Sequence, residues 1–226
     1  MFKRVLFCIP PFPNKYGLPA QPHTGIGYIS ENLEIHGIDT QVVDLRLDGG
    51  YKELKRKICE FKPDLFGVTM MTYHHKLAYD LVDFLKTYRI PIAVGGPHVS
   101  TLKEQVLNEC GAEFGFKMEA EESFMDFCLG KSYESIPGLI FRSGNGFIQN
   151  EPRSILDLDS LPFPRHQCSK LDQYGSNRRA IITSRGCPCR PCVALRAGGR
   201  APSRRRFDRD RSLLPERPPA PCPAPA

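Results

Sequence analysis

A chain of 226 residues with 41% hydrophobic content has room for one domain of ordinary size, with a real core, and an appendage. Its net charge of +6 is confined to the end: from Pro188 onward there are nine Arg, no Lys and three acidic residues, which leaves 22 basic against 22 acidic side chains before it. The body therefore presents no polyanion surface, and no nucleic-acid partner is expected. No apolar run approaches the ~20 residues of a membrane span, nothing resembles a signal peptide, and scattered Cys residues do not make the disulfide framework of a small secreted domain. No membrane partner and a cytoplasmic location are the expectation.

Val5-Leu6-Phe7-Cys8-Ile9, stopped by Pro10-Pro11, reads as a strand buried on both faces. Ile26, Ile29 and Leu33 recur at helical spacing up to Gly37. Gln41–Leu45 is the next strand, and Leu54, Ile58 and Phe61 mark a helix ended before Pro63. Leu65–Thr69 is a third strand. Leu77, Leu81, Phe84, Leu85 and Tyr88 stripe a third helix, opened by His74 and His75, which are expected to be solvated. Ile92-Ala93-Val94 runs into Gly95-Gly96-Pro97-His98. A helix around Val106-Leu107, a short strand at Phe114–Phe116 and a helix bearing Phe124, Phe127 and Cys128 follow. This alternation predicts an α/β, doubly wound, mostly parallel five-stranded sheet. A β-hairpin (138–149 with a Gly-containing turn), a linker and one more buried strand at Ala180–Thr183 come next. The Arg- and Pro-rich end has no apolar period and reads as a disordered tail.

Open α/β sheets bind ligands beyond the carboxyl ends of their strands. Four segments fall there: the loop from Pro10 to His23, Thr69–Tyr73, Gly95–Ser100 and Lys117–Phe124. Glycines let backbone approach a bulky ligand, and hydroxyls with helix-start amides suit a phosphodiester. Each segment alone also reads as an ordinary turn or cap.

Taken in order, these segments resemble the cobalamin-binding domain of cobalamin-dependent radical S-adenosylmethionine (SAM) proteins. They comprise a Pro-Pro loop, a Thr-x-x-Thr, a Gly-Gly-Pro-His and a Glu-x-Glu-Glu-Ser-Phe. Gly-Leu-Ile-Phe-Arg, Asp-Leu-Asp-Ser-Leu-Pro-Phe-Pro and Thr-Ser-Arg-Gly-Cys-Pro continue the match to Pro188. The resemblance implies a Rossmann-like domain with the corrin across the strand ends and its nucleotide tail running into the sheet. The implied cofactor-binding positions are Thr69, Thr72, Gly95, Gly96, Pro97, His98 and Glu119. It also implies a 4Fe–4S cluster and SAM, with Cys187, Cys189 and Cys192 as candidate ligands.

The chain departs from that pattern at Met118, which stands where the family often has Gly, and in its cysteine spacing. There is also no Asp-x-His-x-x-Gly, the motif by which another cobalamin class supplies a lower axial His, so cobalt is expected to have no His from that motif, and His98 is expected to make polar contacts. The cysteines run C-x-C-x2-C instead of C-x3-C-x2-C, with Pro191 and Ala194 at the family's second and third ligand positions. Thiolate clusters need a loop that points three sulfurs at one cube. The expected organisation is a cobalamin-binding domain over 1–135, hairpin and linker over 136–179, the start of a radical SAM barrel over 180–192 and a tail over 193–226. It reads as truncated or frame-shifted at the cysteine loop and catalytically incomplete alone. The alternative is a non-catalytic module for cobalamin or a nucleotide-like ligand.

Overall fold

The structure is a computed structural model that describes residues 1–11, 21–47, 49–152, 158–164, 173–175, 180–185 and 203–204. Five parallel strands form its centre: β1 (Arg4–Ile9), β2 (Asp39–Asp44), β3 (Leu65–Thr69), β4 (Ile92–Gly95) and β5 (Phe114–Phe116). Their spatial order is β2-β1-β3-β4-β5, so chain direction across the sheet reverses between β1 and β3. That switch point is where a doubly wound sheet leaves a crevice beyond its strand ends. The expected doubly wound, mostly parallel Rossmann-like sheet is present. It is wider than expected: the hairpin strands β6 (Leu139–Ser143) and β7 (Gly146–Gln149) do not merely follow it but pair antiparallel beyond β5, giving seven strands.

The continuous apolar run of β1 is explained by burial on both sides, with Val5 through Ile9 all at 3% exposure or less. Leu6 and Cys8 join Phe66, Val68 and Val94 under α2 (Gly50–Phe61), α3 (His75–Lys86) and α5 (Glu104–Cys110). Val5, Phe7 and Ile9 join Leu65, Ala93, Phe116, Phe124 and Phe127 under α1 (Thr24–Glu34) and α6 (Glu121–Cys128). The crossover after β4 is broken into α4 (Pro97–Leu102) and α5, because Lys103 sits at φ +55 and ends the first turn pair.

Ala180–Thr183 is not the buried strand its composition predicts. Ile181 is 43% exposed, and the backbone of Ile182 bonds a side chain instead of a sheet neighbour. Its partner is the Tyr28 hydroxyl, which donates to the Ile182 carbonyl at 3.2 Å and accepts from its N–H at 3.1 Å. Only Ser184–Arg185 pairs, as a two-residue strand β8, with β9 (Ser203–Arg204). The cysteine loop, most of the linker and the rest of the tail lie outside the described residues.

Candidate functional site

The end of β4 is fastened to the end of β3. Met70 donates its N–H to the Gly95 carbonyl at 2.8 Å, and His98 N–H reaches the Met70 carbonyl at 3.2 Å. Gly96 makes this possible: its φ of +103° and ψ of −175° lie in a region open essentially to glycine alone. A Cβ there would stand 2.8 Å from the Met70 carbonyl oxygen and 3.3 Å from Thr69 Oγ1. Ser100 extends the tie, donating to the Gly96 carbonyl and accepting the Met118 N–H at 2.9 Å. Met118 itself is held at φ +60°, the left-handed region that favours glycine, and is partly exposed at the rim. The departure from the family's Gly is therefore borne by the backbone at 118.

His23 caps α1. Its Nδ1 accepts the Ile26 N–H at 3.3 Å, which fixes the neutral ring with its proton on Nε2, 3.4 Å from Thr69 Oγ1 as acceptor. Burial, followed by nearby Arg46, lowers its pKa against the opposing pull of Asp44. Asp44 holds the Arg46 guanidinium through two oxygens at 2.6 and 2.8 Å and accepts from the Tyr174 hydroxyl at 2.9 Å.

Between these loops a cleft of about 240 Å³ opens beside the β1/β3 switch point and runs under α1 and α6. Its floor is Phe7, Gly67, Ala93 and Phe116. Ile26 and Ile29 of α1 and Glu121 and Phe124 of α6 form its walls, and Thr69, Gly95, Gly96, Pro97 and Glu119 its mouth. Gly67 is fixed by its neighbour, since a Cβ at that position would lie 2.5 Å from the Phe7 ring. Arg185 closes one side, with its Nη2 2.5 Å from Glu121 Oε1 and its guanidinium 5.6 Å from the centre of the Tyr28 ring.

Five of the seven candidate cofactor positions thus meet in one cleft: Thr69, Gly95, Gly96, Pro97 and Glu119. Thr72 and His98 do not line it. The Tyr79 hydroxyl donates to Glu109 at 2.8 Å and so accepts from His98 Nε2 at 3.0 Å. His98 Nδ1 is left to accept from Thr72 Oγ1 at 3.3 Å. Burial and then the charge of His75 lower the His98 pKa, while Glu109 pulls it upward. Burial and the Glu109 carboxylate raise that of Tyr79. His98 is buried and engaged in polar contacts, as expected. His75 is half-buried rather than solvated, its ring stacked 5.0 Å from that of His98. Sequence reasoning did not single out Phe7, Gly67, Ala93, Phe116 or Arg185 as cleft residues; Glu121 fell within the expected edge segment Lys117–Phe124 without a role of its own. Cys187, Cys189 and Cys192 lie outside the described residues, and among the described residues no three His, Cys, Asp or Glu side chains gather as a metal site.

Residues 20–127 match the B12 binding domain family. An uncharacterised methyltransferase of Pyrococcus horikoshii is 29% identical over 181 residues, covering 74% of this chain and 39% of that protein. The cytidylyl-2-hydroxyethylphosphonate methyltransferase of Streptomyces wedmorensis is 24% identical over 225 residues, covering 72% of this chain and 42% of its own. The chain spans less than half the length of these relatives. Among solved structures, the radical S-adenosylmethionine methyltransferase TsrM of Kitasatospora setae, with cobalamin and a 4Fe–4S cluster bound, superimposes with a TM-score of 0.58. It is 20% identical, over 68% of this chain and 30% of TsrM. The cobalamin-dependent radical enzyme OxsB, with aqua-cobalamin and S-adenosylmethionine bound, gives a TM-score of 0.64 at 15% identity, over 72% of this chain and 24% of OxsB. The chain therefore shares its fold with these two structures.

Proposed function

From a chain whose residues 20–127 match the B12 binding domain, we propose that the cleft holds cobalamin and that the chain is the cobalamin-binding part of a radical SAM enzyme of the methyltransferase kind. One observation carries the reading: a slot floored by Phe7, Gly67, Ala93 and Phe116, walled in part by Ile26, Ile29 and Phe124, that opens at the Gly95-Gly96 turn. About 240 Å³ is smaller than the ~300–1,000 Å³ of pockets that engulf a whole ligand of drug size. It suits one flat apolar arm of a larger molecule whose bulk rests outside, across the strand ends. Cobalamin has that shape, with a heteroaromatic nucleotide tail and a wide corrin. Gly95 and Gly96 would let the corrin side come close, Thr69 and the amides of the mouth would face its polar groups, and the Phe rings would exclude water from the tail. When bound, cobalamin supplies a cobalt able to carry a methyl group; the residues of this chain bind and orient it. SAM and the cluster remain implications of the resemblance, assigned to the cysteine loop.

The test is retention. Purified protein mixed with hydroxocobalamin should carry corrin absorbance through gel filtration, and Gly96→Val should lose it, because a β-branched residue resists positive φ and meets Met70. Absence of corrin from the wild-type peak at micromolar protein would remove the reading.

A further inference from the structure

Glu121, the first residue of α6, is 3% exposed and lines the cleft, yet its Oε2 has no hydrogen-bond partner among the described residues. A shielded acceptor left unmade is destabilising, and folded proteins keep few of them. The other oxygen is fully engaged: Oε1 takes Arg185 Nη2 at 2.5 Å, with the Arg185 side chain only 20% exposed. Arg185 in turn lies over the ring of Tyr28, whose hydroxyl bonds both backbone groups of Ile182. One carboxylate thus joins the wall of the cleft to the segment 180–185, whose Arg185 is 64 positions away along the chain. The surroundings argue for a neutral donor at the open oxygen: the lining of the cleft is largely apolar, with Ile29, Phe116 and Phe124 beside the polar His23, Glu119 and Arg185, and no three acidic, His or Cys side chains gather for a cation among the described residues.

Resting on the cobalamin reading, we propose that Glu121 is a shared carboxylate. Oε1 holds Arg185, and Oε2 accepts a hydrogen bond from an amide N–H or hydroxyl of the bound corrinoid. Arg185 fixes the carboxylate before the ligand arrives, so the ligand meets an oriented acceptor and loses less freedom on binding. Linkage makes the effect mutual: whatever factor Arg185 adds to ligand affinity, the ligand must add to the docking of 180–185. Glu121 is then a ligand contact, and Arg185 a positioning residue.

The full chain is titrated with hydroxocobalamin while amide hydrogen exchange is followed at Ile182. A hydrogen bond to a charged group supports a loss of about tenfold or more in affinity for Glu121→Gln. Arg185→Gln should lose roughly fivefold, the lower end of site-to-site coupling. Exchange at Ile182 should slow on adding corrinoid in the wild type and not in Arg185→Gln. Wild-type affinity in Glu121→Gln, or Ile182 exchange indifferent to corrinoid, overturns the inference and leaves the cobalamin reading standing. A wild-type protein that binds no corrinoid overturns both.

Discussion

Gly95 and Gly96 are adjacent, both line the cleft, and should respond oppositely to the same methyl group. At Gly96 an alanine must adopt φ +103° and ψ −175°, which costs about 1–3 kcal/mol in a region reserved for glycine. Its Cβ would lie 2.8 Å from the Met70 carbonyl oxygen and 3.2 Å from the Met70 nitrogen. These are backbone atoms that cannot rotate away, so overpacking adds about 1–3 kcal/mol. The stiffer unfolded chain returns about 0.4–1 kcal/mol. The expected net loss is about 3 kcal/mol, or a fall in Tm of roughly 6–12 °C for a domain of this size. At Gly95 no positive φ is required, and the nearest atoms to a Cβ are the Phe116 carbonyl oxygen at 3.8 Å and Phe116 Cβ at 3.9 Å, which is ordinary contact. Gly95→Ala should stay within about 0.5 kcal/mol of the wild type, as an unstrained substitution does. The chain has no Trp, so urea unfolding followed by far-UV circular dichroism is the appropriate assay. A Gly96→Ala protein as stable as the wild type, or equal damage at both positions, would refute the assignment of the turn.

The strain at Met118 predicts that Met118→Gly is at least as stable as the wild type, whereas Met118→Val loses about 1 kcal/mol or more, because a β-branched side chain tolerates φ +60° worst; thermal unfolding of the two variants checks the order. The pH dependence follows from His23 and His98, whose folded pKa values both lie below the ordinary 6.5. Between the folded and unfolded values the unfolded chain binds more protons, so their contribution is fully present above about pH 6.5 and is lost as pH falls through the folded values. Urea midpoints should drop from pH 8 to pH 5, and less steeply in His98→Gln; an identical slope in that variant would contradict the buried neutral ring.

The strand ends were legible because their punctuation is local. Gly95-Gly96-Pro97 stops β4 and opens α4 within three residues, and only a tight, glycine-dependent turn does that. The depth of the cleft was not legible. Phe7 lies in a run buried on both faces, where apolar character gives no clue to which side of the sheet a ring occupies. Gly67, a lone glycine within β3, was the available signal, since such a residue often marks a close approach; here the approaching group is the Phe7 ring. Thr72 and His98 follow strand ends in sequence, but the His98 ring turns to Tyr79 on α3, on the other side of the sheet from Phe7, and Thr72 bonds that ring. Arg185 reaches Glu121 across 64 positions, a pairing no local pattern encodes. The failed strand at 180–183 has the same origin: composition supplies the apolar residues but not the neighbour, and Tyr28 takes that place.

The hairpin has a bearing on colloidal behaviour. β5 is only three residues long, and its outer edge is occupied by Leu139, Ile140 and Phe141 of β6. A bare parallel edge offers unpaired N–H and C=O groups to any passing strand and invites self-association. The antiparallel pair moves that vulnerable border outward to β7, which is four residues long and whose Phe147 ring lies under the guanidinium of Arg142 on β6. The β6–β7 ribbon is thus a selvedge, a woven margin that covers the edge of β5 and leaves β7 as the border of the sheet.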